Sequence, residues 1–272
     1  MSRAREATPP RSAASGALAL VAPPVALFAV FVGLWHLACV ALELPAYLVP
    51  TPTAVARAAI ERGPELATST LLTAAGALAG LGLSVVIGSL GALAFAHSRW
   101  IARAFYPYAI FLQTVPVVAI APLIVLWCGT GFFSVVLVAH IVSLFPVLTS
   151  ATTGLQRVDP HLLDLFQLYG ASRWQILGKL HLPGAIPYFV SGARIASGLA
   201  VIGAIIGEFF AGYGEGAYGL GYVIILSSGQ LKTELLFAAI AASTLLGVAT
   251  FAGVSLAGAA LLRRWRGREI DR

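Results

Sequence analysis

The chain has 272 residues, 59% of them hydrophobic and 10% charged, with a formal net charge of +6. That balance excludes a soluble globular domain and places the chain in a lipid bilayer. The positive charge needs no nucleic acid: Arg263, Arg264, Arg266 and Arg268 follow directly on the last hydrophobic run, as a cluster facing anionic lipid would.

Residues 1–16 contain Arg, Ser and Pro and read as a disordered cytoplasmic tail. Residues 17–65 are expected to hold a first transmembrane helix, roughly Val25 to Leu42, and an outer loop. Pro45, Pro50 and Pro52 exclude a continuous helix through that loop, and Thr51-Pro52 predicts a short helix running to Arg62.

Residues 66–262 read as one transmembrane domain. The uncharged runs Leu66–Ser98, Ala104–Gln156 and Leu235–Leu262 each meet the about 20 residues a span requires. Trp127-Cys128-Gly129-Thr130-Gly131 divides the longest run in two, and Ala185–Ala211 supplies a further span. The fold class expected is an all-α integral membrane protein with about six transmembrane helices. Arg3, Arg5 and Arg11, Arg99 and Arg103, Arg157, Arg173 and Lys179, and the basic tail 263–272 then share one side, against Arg57, Arg62 and Lys232 on the other. The basic side is the cytoplasmic one, which puts both termini inside.

In the second span Gly76, Gly80, Ser84, Gly88, Ala92 and Ala96 recur at every fourth residue, a stripe that lets another helix approach closely in lipid. In the third, Gln113, Thr114, Pro116 and Pro122 interrupt the apolar pattern and predict a bent helix. Its freed carbonyls either line a pathway or are satisfied by neighbouring helices. His140 in the fourth span reads as a hydrogen-bonded core residue. Cys39 and Cys128 have no metal-ligand spacing and read as small core residues without a disulfide.

The segment 157–183 is the structured element between spans. Asp159-Pro160 is an N-cap followed by proline at the first helical position, and Leu162, Leu165, Phe166 and Tyr169 share one helical face. Gly170 suits a left-handed C-terminal cap, and Ser172 with Gln175 has the form of a capping box that opens a second helix, expected to end at Pro183. Such a helix pair is either a docking surface for another protein or a loop lying on lipid headgroups.

The fifth span carries Arg194 and Glu208, and charges within a membrane are expensive enough to demand a function or a specific partner. They lie about 21 Å apart along a helix, too far to pair with each other. Arg194 is read as a structural charge that snorkels to the inner face or caps a neighbour's carbonyls. Glu208 precedes a glycine-rich run, 212–222, expected to be an irregular outer loop. The run is not a phosphate cradle, because Gly178-Lys179 is the only Gly-Lys pair and Leu180 follows it. No metalloprotease, hydrolase or paired-carboxylate constellation is present, so an enzyme is not expected.

With these residues in place, the chain resembles the permease subunit of binding-protein-dependent (type I) ABC importers, and within them the nitrate/sulfonate/taurine branch. The family's cytoplasmic loop reads Glu-Ala-Ala, three residues, Gly, nine residues, Ile-x-Leu-Pro. Here Gly170-Ala171-Ser172 is followed, at that spacing, by Leu180-His181-Leu182-Pro183, while Asp164-Leu165-Phe166 stands in place of Glu-Ala-Ala. Pro50-Thr51-Pro52, Gly192-Ala193-Arg194, Gly207-Glu208 and Gly219-Leu220-Gly221 match in order.

The resemblance implies a type I importer permease fold in the plasma (inner) membrane, with a second permease copy as homodimer partner. It implies a cytoplasmic ATP-binding cassette subunit seated on the coupling loop through Asp164, Gly170, Ala171, Ser172, Leu180 and Pro183. That partner binds ATP and Mg, and this chain holds no cofactor. An extracytoplasmic solute-binding protein delivers the substrate. Gln113, Thr114, Pro116 and Glu208 are the pathway candidates. The solute class is a small organic or inorganic anion of the nitrate, sulfonate or taurine type, or a precursor metabolite. The alternative is a secondary transporter or channel not coupled to ATP.

Overall fold

The computed structural model describes residues 13–211 and 218–270, and among them every regular element is helical. In chain order these are α1 (Ala13–Ala41), α2 (Pro52–Glu61), α3 (Gly63–His97), α4 (Arg99–Thr114), α5 (Val117–Cys128), α6 (Phe132–Gln156), α7 (Pro160–Leu168), α8 (Arg173–Ile176), α9 (Leu182–Ala211), α10 (Leu220–Gly229) and α11 (Thr233–Ile270). The tail expected to be disordered lies largely outside the described residues, and helix has begun by Ala13. The glycine-rich stretch 212–217 lies outside them too.

Five of these helical stretches are long and apolar enough to cross a membrane: Ala22–Ala41, Gly63–His97, Phe132–Gln156, Arg173–Ala211 and Thr233–Arg264. The expected third span is not one bent helix but two separate ones, α4 and α5. Pro116 disfavours helical backbone at the residue before it, and Val115 accordingly adopts φ −73°, ψ 127°. The turn predicted at Trp127–Gly131 is present, and Gly129 and Gly131 take φ of +85° and +118°, which only glycine adopts without strain.

α3, α6 and α9 form the centre. With no hydrophobic drive between helices in lipid, close van der Waals packing of small residues holds them together. A Cβ on Gly80 would stand 2.5 Å from Cβ of Ala139, and one on Gly88 would stand 3.0 Å from Val147, so α3 and α6 run parallel. Gly207 meets Val135, Gly203 meets Ala139 and Gly192 meets Ser150, so α9 returns antiparallel between them. Of the predicted stripe, Gly76, Gly80, Ser84, Gly88 and Ala92 are buried.

α11 antiparallels α9, with Gly258 against Val190, and α1 meets the start of α11 through Trp35 and Phe237, whose ring centroids are 5.7 Å apart. The start of α1, the end of α11 and the α7–α8 pair therefore share one end of the bundle. His140 is buried, with Nδ1 2.8 Å from Ser84 Oγ, and Ser84 Oγ lies 2.8 Å from Ser143 Oγ, a polar staple between α3 and α6. Cys39 is buried as read, but Cys128 is exposed, because it closes α5 beside the glycine turn rather than packing inward.

Candidate functional site

The helix pair at the shared end is built by local rules. Asp159 Oδ1 accepts the N–H of His161 at 2.9 Å and opens α7. At its other end Gly170, with φ +68°, donates to the carbonyl of Gln167, and Ala171 donates to that of Phe166, a Schellman closure. The chain turns at once into α8: Gln175 N–H donates to Ser172 Oγ at 3.3 Å, and Ser172 N–H donates to Gln175 Oε1 at 2.8 Å, the reciprocal capping box.

Pro183 does not end this second helix. It lies in the first turn of α9, and α8 runs into α9 through a π turn, Leu177–His181, in which Leu182 N–H donates to Leu177 O. The extra residue of that turn shifts the hydrogen-bond register just where proline brings no donor. Arg173 to Ala211 is thus one continuous rod. Two contacts anchor its base: His181 Nδ1 stands 2.6 Å from the carbonyl oxygen of Leu155, and Trp174 stacks on His97 at the end of α3 with centroids 5.8 Å apart. Arg157 donates to the Tyr188 hydroxyl at 3.5 Å, and this bond raises its pKa.

The tip of the pair faces outward. Leu168 and Tyr169 are 84% and 82% exposed, and no residue of α7 is buried. Asp164, Gly170 and Ser172 are exposed, and Ala171 and Lys179 line a cleft of about 310 Å³ with Leu165, Phe166, Tyr169 and Gln175. Leu180 and Pro183 are half-buried at its base. The apolar face read from the sequence is real but uncovered, with Tyr169 its most exposed member, and Leu168 stands exposed beside it.

Gln113, Thr114 and Pro116 come together at the break between α4 and α5. They line a cavity of about 420 Å³ with Val115, Val117, Ile141, Val142, Phe145, Pro146 and Leu199. Pro146 has no N–H to offer the carbonyl of Val142 four residues earlier. The lining carries no charged residue. Sequence reasoning missed Phe145 and Leu199, which reach the cavity from α6 and α9.

Glu208, the fourth pathway candidate, does not line that cavity. It is fully buried, at 0% exposure, where α3, α9 and α10 meet. Its Oε2 accepts the N–H of Gly221 at 2.7 Å and lies 3.0 Å from Thr73 Oγ1, which in turn accepts the N–H of Leu220 at 2.8 Å. The carboxylate thus sits on the N-terminus of α10, where the unpaired amides and helix dipole favour negative charge. A side chain at Gly219 or Gly221 would collide with it, which explains Gly219-Leu220-Gly221. Glycines flanking one residue, soon after a lone intramembrane acid, were the available signal. Arg194 Nη2 donates to the carbonyl of Ser255 in α11 at 3.3 Å, while its Nε and the Ser255 hydroxyl are buried without a partner.

A multi-pass helical bundle with an uncovered helix pair at one end and a neutral cavity beside a broken helix defines a membrane permease. The chain belongs to the binding-protein-dependent transport system inner membrane component family, which matches residues 66–267. It is 35% identical over 245 residues to the riboflavin transport system permease protein RibX of Chloroflexus aurantiacus, covering 89% of each chain. It is 34% identical over 232 residues to the formylaminopyrimidine transport permease protein ThiX of Halalkalibacterium halodurans, covering 85% of this chain and 91% of that one. The fold matches a chain of the inward-facing MetNI methionine ABC transporter with a TM-score of 0.60 at 18% identity, covering 74% of this chain and 95% of that one. The chain is therefore a type I ABC importer permease, a transport subunit and not an enzyme, of a kind that works with an ATPase and a substrate-binding protein.

Proposed function

We propose that this chain forms the membrane pathway of an importer whose ATPase subunit, holding ATP and Mg, docks on the α7–α8 pair from the cytoplasm. The observation that carries the reading is the exposure of Leu168 and Tyr169 on a rigid, fully capped helix tip. Apolar side chains held this firmly in water call for a covering partner. The tip shares its end with the start of α1 and the end of α11, so a cytoplasmic pair goes with cytoplasmic termini, in keeping with the basic residues gathered there. Asp164, Gly170, Ala171, Ser172 and Lys179 are the contact residues of that seat, and Leu180 and Pro183 join it to the span. A homodimer completes the pathway, with a solute-binding protein on the opposite face.

The cavity at Gln113, Thr114 and Pro116 is the pathway candidate. A nitrate or sulfonate anion, or the sulfonate group of zwitterionic taurine, would want cationic groups there, and the neutral lining instead favours an uncharged precursor metabolite that hydrogen-bonds to Gln113 and stacks on Phe145. The test is uptake into proteoliposomes holding this chain, the ATPase and the binding protein encoded beside it. ATP-dependent accumulation that ceases when Leu168 and Tyr169 are replaced by Asp supports the reading. Uptake that proceeds without the ATPase and follows an ion gradient replaces it with a secondary transporter.

A further inference from the structure

At the end of the bundle opposite the helix pair, the start of α3, α10 and the start of α11 enclose a pocket of about 510 Å³. That volume lies inside the roughly 300–1,000 Å³ of small-molecule sites, and none of its lining residues belongs to the cavity at Gln113. Its wall carries Tyr218 and Tyr222, whose rings stack with centroids 4.1 Å and planes 13° apart. Ser69 of α3 and Ser227 of α10 line it too. Both residues are nearly buried, yet neither hydroxyl is engaged by another described residue. At the rim Arg62 is neutralised by Glu65 at 3.0 Å, and Lys232 adds one positive charge.

We propose that this pocket is an entry site for a flat heteroaromatic solute rich in hydrogen-bonding groups, which stacks on the tyrosine pair and satisfies Ser69 and Ser227. The inference rests on the importer reading for its direction, since solute would meet this pocket before the cavity at Gln113. Each element of the pocket selects for that chemistry. Two tyrosines already stacked present a broad π face, to which a third ring adds without new ordering of the side chains. Unengaged hydroxyls at nearly buried positions favour a ligand that donates and accepts over an aliphatic one. A rim with one ion pair and one lysine holds carbonyl-rich or weakly anionic rings without demanding a full negative charge.

The experiment titrates riboflavin, formylaminopyrimidine and taurine against the purified full-length chain, using flavin fluorescence quenching for the first and calorimetry for the others. At least one of the two heteroaromatic probes is expected to bind and taurine is not. Tyr218→Ala and Tyr222→Ala should each weaken binding about tenfold, the scale of one aromatic stacking contact, while Tyr222→Phe retains it. Tyr218 is the more exposed ring, so its variant decides the matter if Tyr222→Ala fails to fold. Failure of both heteroaromatic probes to bind, or binding untouched by either alanine variant, overturns the site. Tyrosine-dependent binding together with uptake that needs no ATPase sinks the importer reading and leaves the pocket assigned.

Discussion

The carboxylate of Glu208 accepts the backbone N–H of Gly221 at 2.7 Å, fastening the end of α9 to the first turn of α10 across 13 residues of sequence. Thr73 of α3 closes the junction from the other side. Three helices are thus held by one acidic side chain, and the glycines around it are there because the carboxylate fills the space a side chain would take.

Gly221→Ala should therefore be more damaging than its size implies, because the new methyl meets Glu208 and the carbonyl of Ile205. Glu208→Ala leaves the amide of Gly221 buried without its acceptor, a loss of about 1–3 kcal/mol. Both variants should melt earlier in detergent than the wild type. An unchanged melting temperature for Glu208→Ala would remove the junction from the account.

Gly80 and Gly82 lie two residues apart on α3 and predict opposite outcomes. A Cβ at Gly80 meets Ala139 and the backbone of Val136, whereas one at Gly82 meets nothing within 4 Å. Gly80→Val should destabilise the α3–α6 seam by about 1–3 kcal/mol through overpacking. Gly82→Ala should leave thermal stability and membrane yield as they are. Equal behaviour of the two in a melting assay would contradict the parallel packing of these helices.

At Gly170 the constraint is conformational and not steric, since φ is +68° and a Cβ would meet nothing within 4 Å. An L-residue there carries about 1–2 kcal/mol of left-handed strain. Gly170→Val should lower ATP-driven uptake while the protein inserts and folds, and Gly170→Asn should retain more activity than Gly170→Val, because asparagine tolerates this region. The comparison is read in proteoliposomes at matched protein levels.

The helix pair was legible because every signal in it is local. Asp159 caps two residues ahead, Ser172 and Gln175 pair at a spacing of three, and Gly170 closes a helix begun ten residues earlier. Pro183 misled for the same reason: proline reads as a stop, and the π turn that carries the helix past it has no simple sequence signature. Glu208 was legible as an intramembrane acid but not in its role, since Thr73 lies 135 residues away. The α4–α5 segment has the apolar character of a span, and two prolines announce an interruption, but whether the helix bends or breaks is set by the partners available to its freed carbonyls. Cys128 was read as a core residue from its position in a hydrophobic run, and that position fixes membrane depth and not which side of the helix meets protein.

Replacing Leu168 by Asp should weaken recovery of the ATPase subunit with the purified permease by tenfold or more. At 84% exposure the change removes no internal packing, so the melting temperature of the isolated chain should stay unchanged. Quantitative co-purification measures the first quantity, and undiminished recovery would remove this tip from the docking surface.

Among the described residues Arg194 makes one hydrogen bond, to the carbonyl of Ser255, with its Nε unpartnered. A charge so poorly compensated contributes little to stability, and an apolar side chain of similar length often does as well. Arg194→Met should melt no earlier than the wild type. A markedly lower melting temperature would show that the single bond to Ser255 anchors α11 by itself.

The π turn between Leu177 and His181 has a mechanical consequence. Because α8 and α9 are one rod, the capping box at Ser172 and the middle of the bilayer are joined without a hinge. The wide turn also holds one residue of slack. Were it to tighten into an ordinary turn, everything beyond it would rotate by about 100° about the rod's own axis, so a partner gripping the knuckle could turn the span like a key instead of merely shoving it.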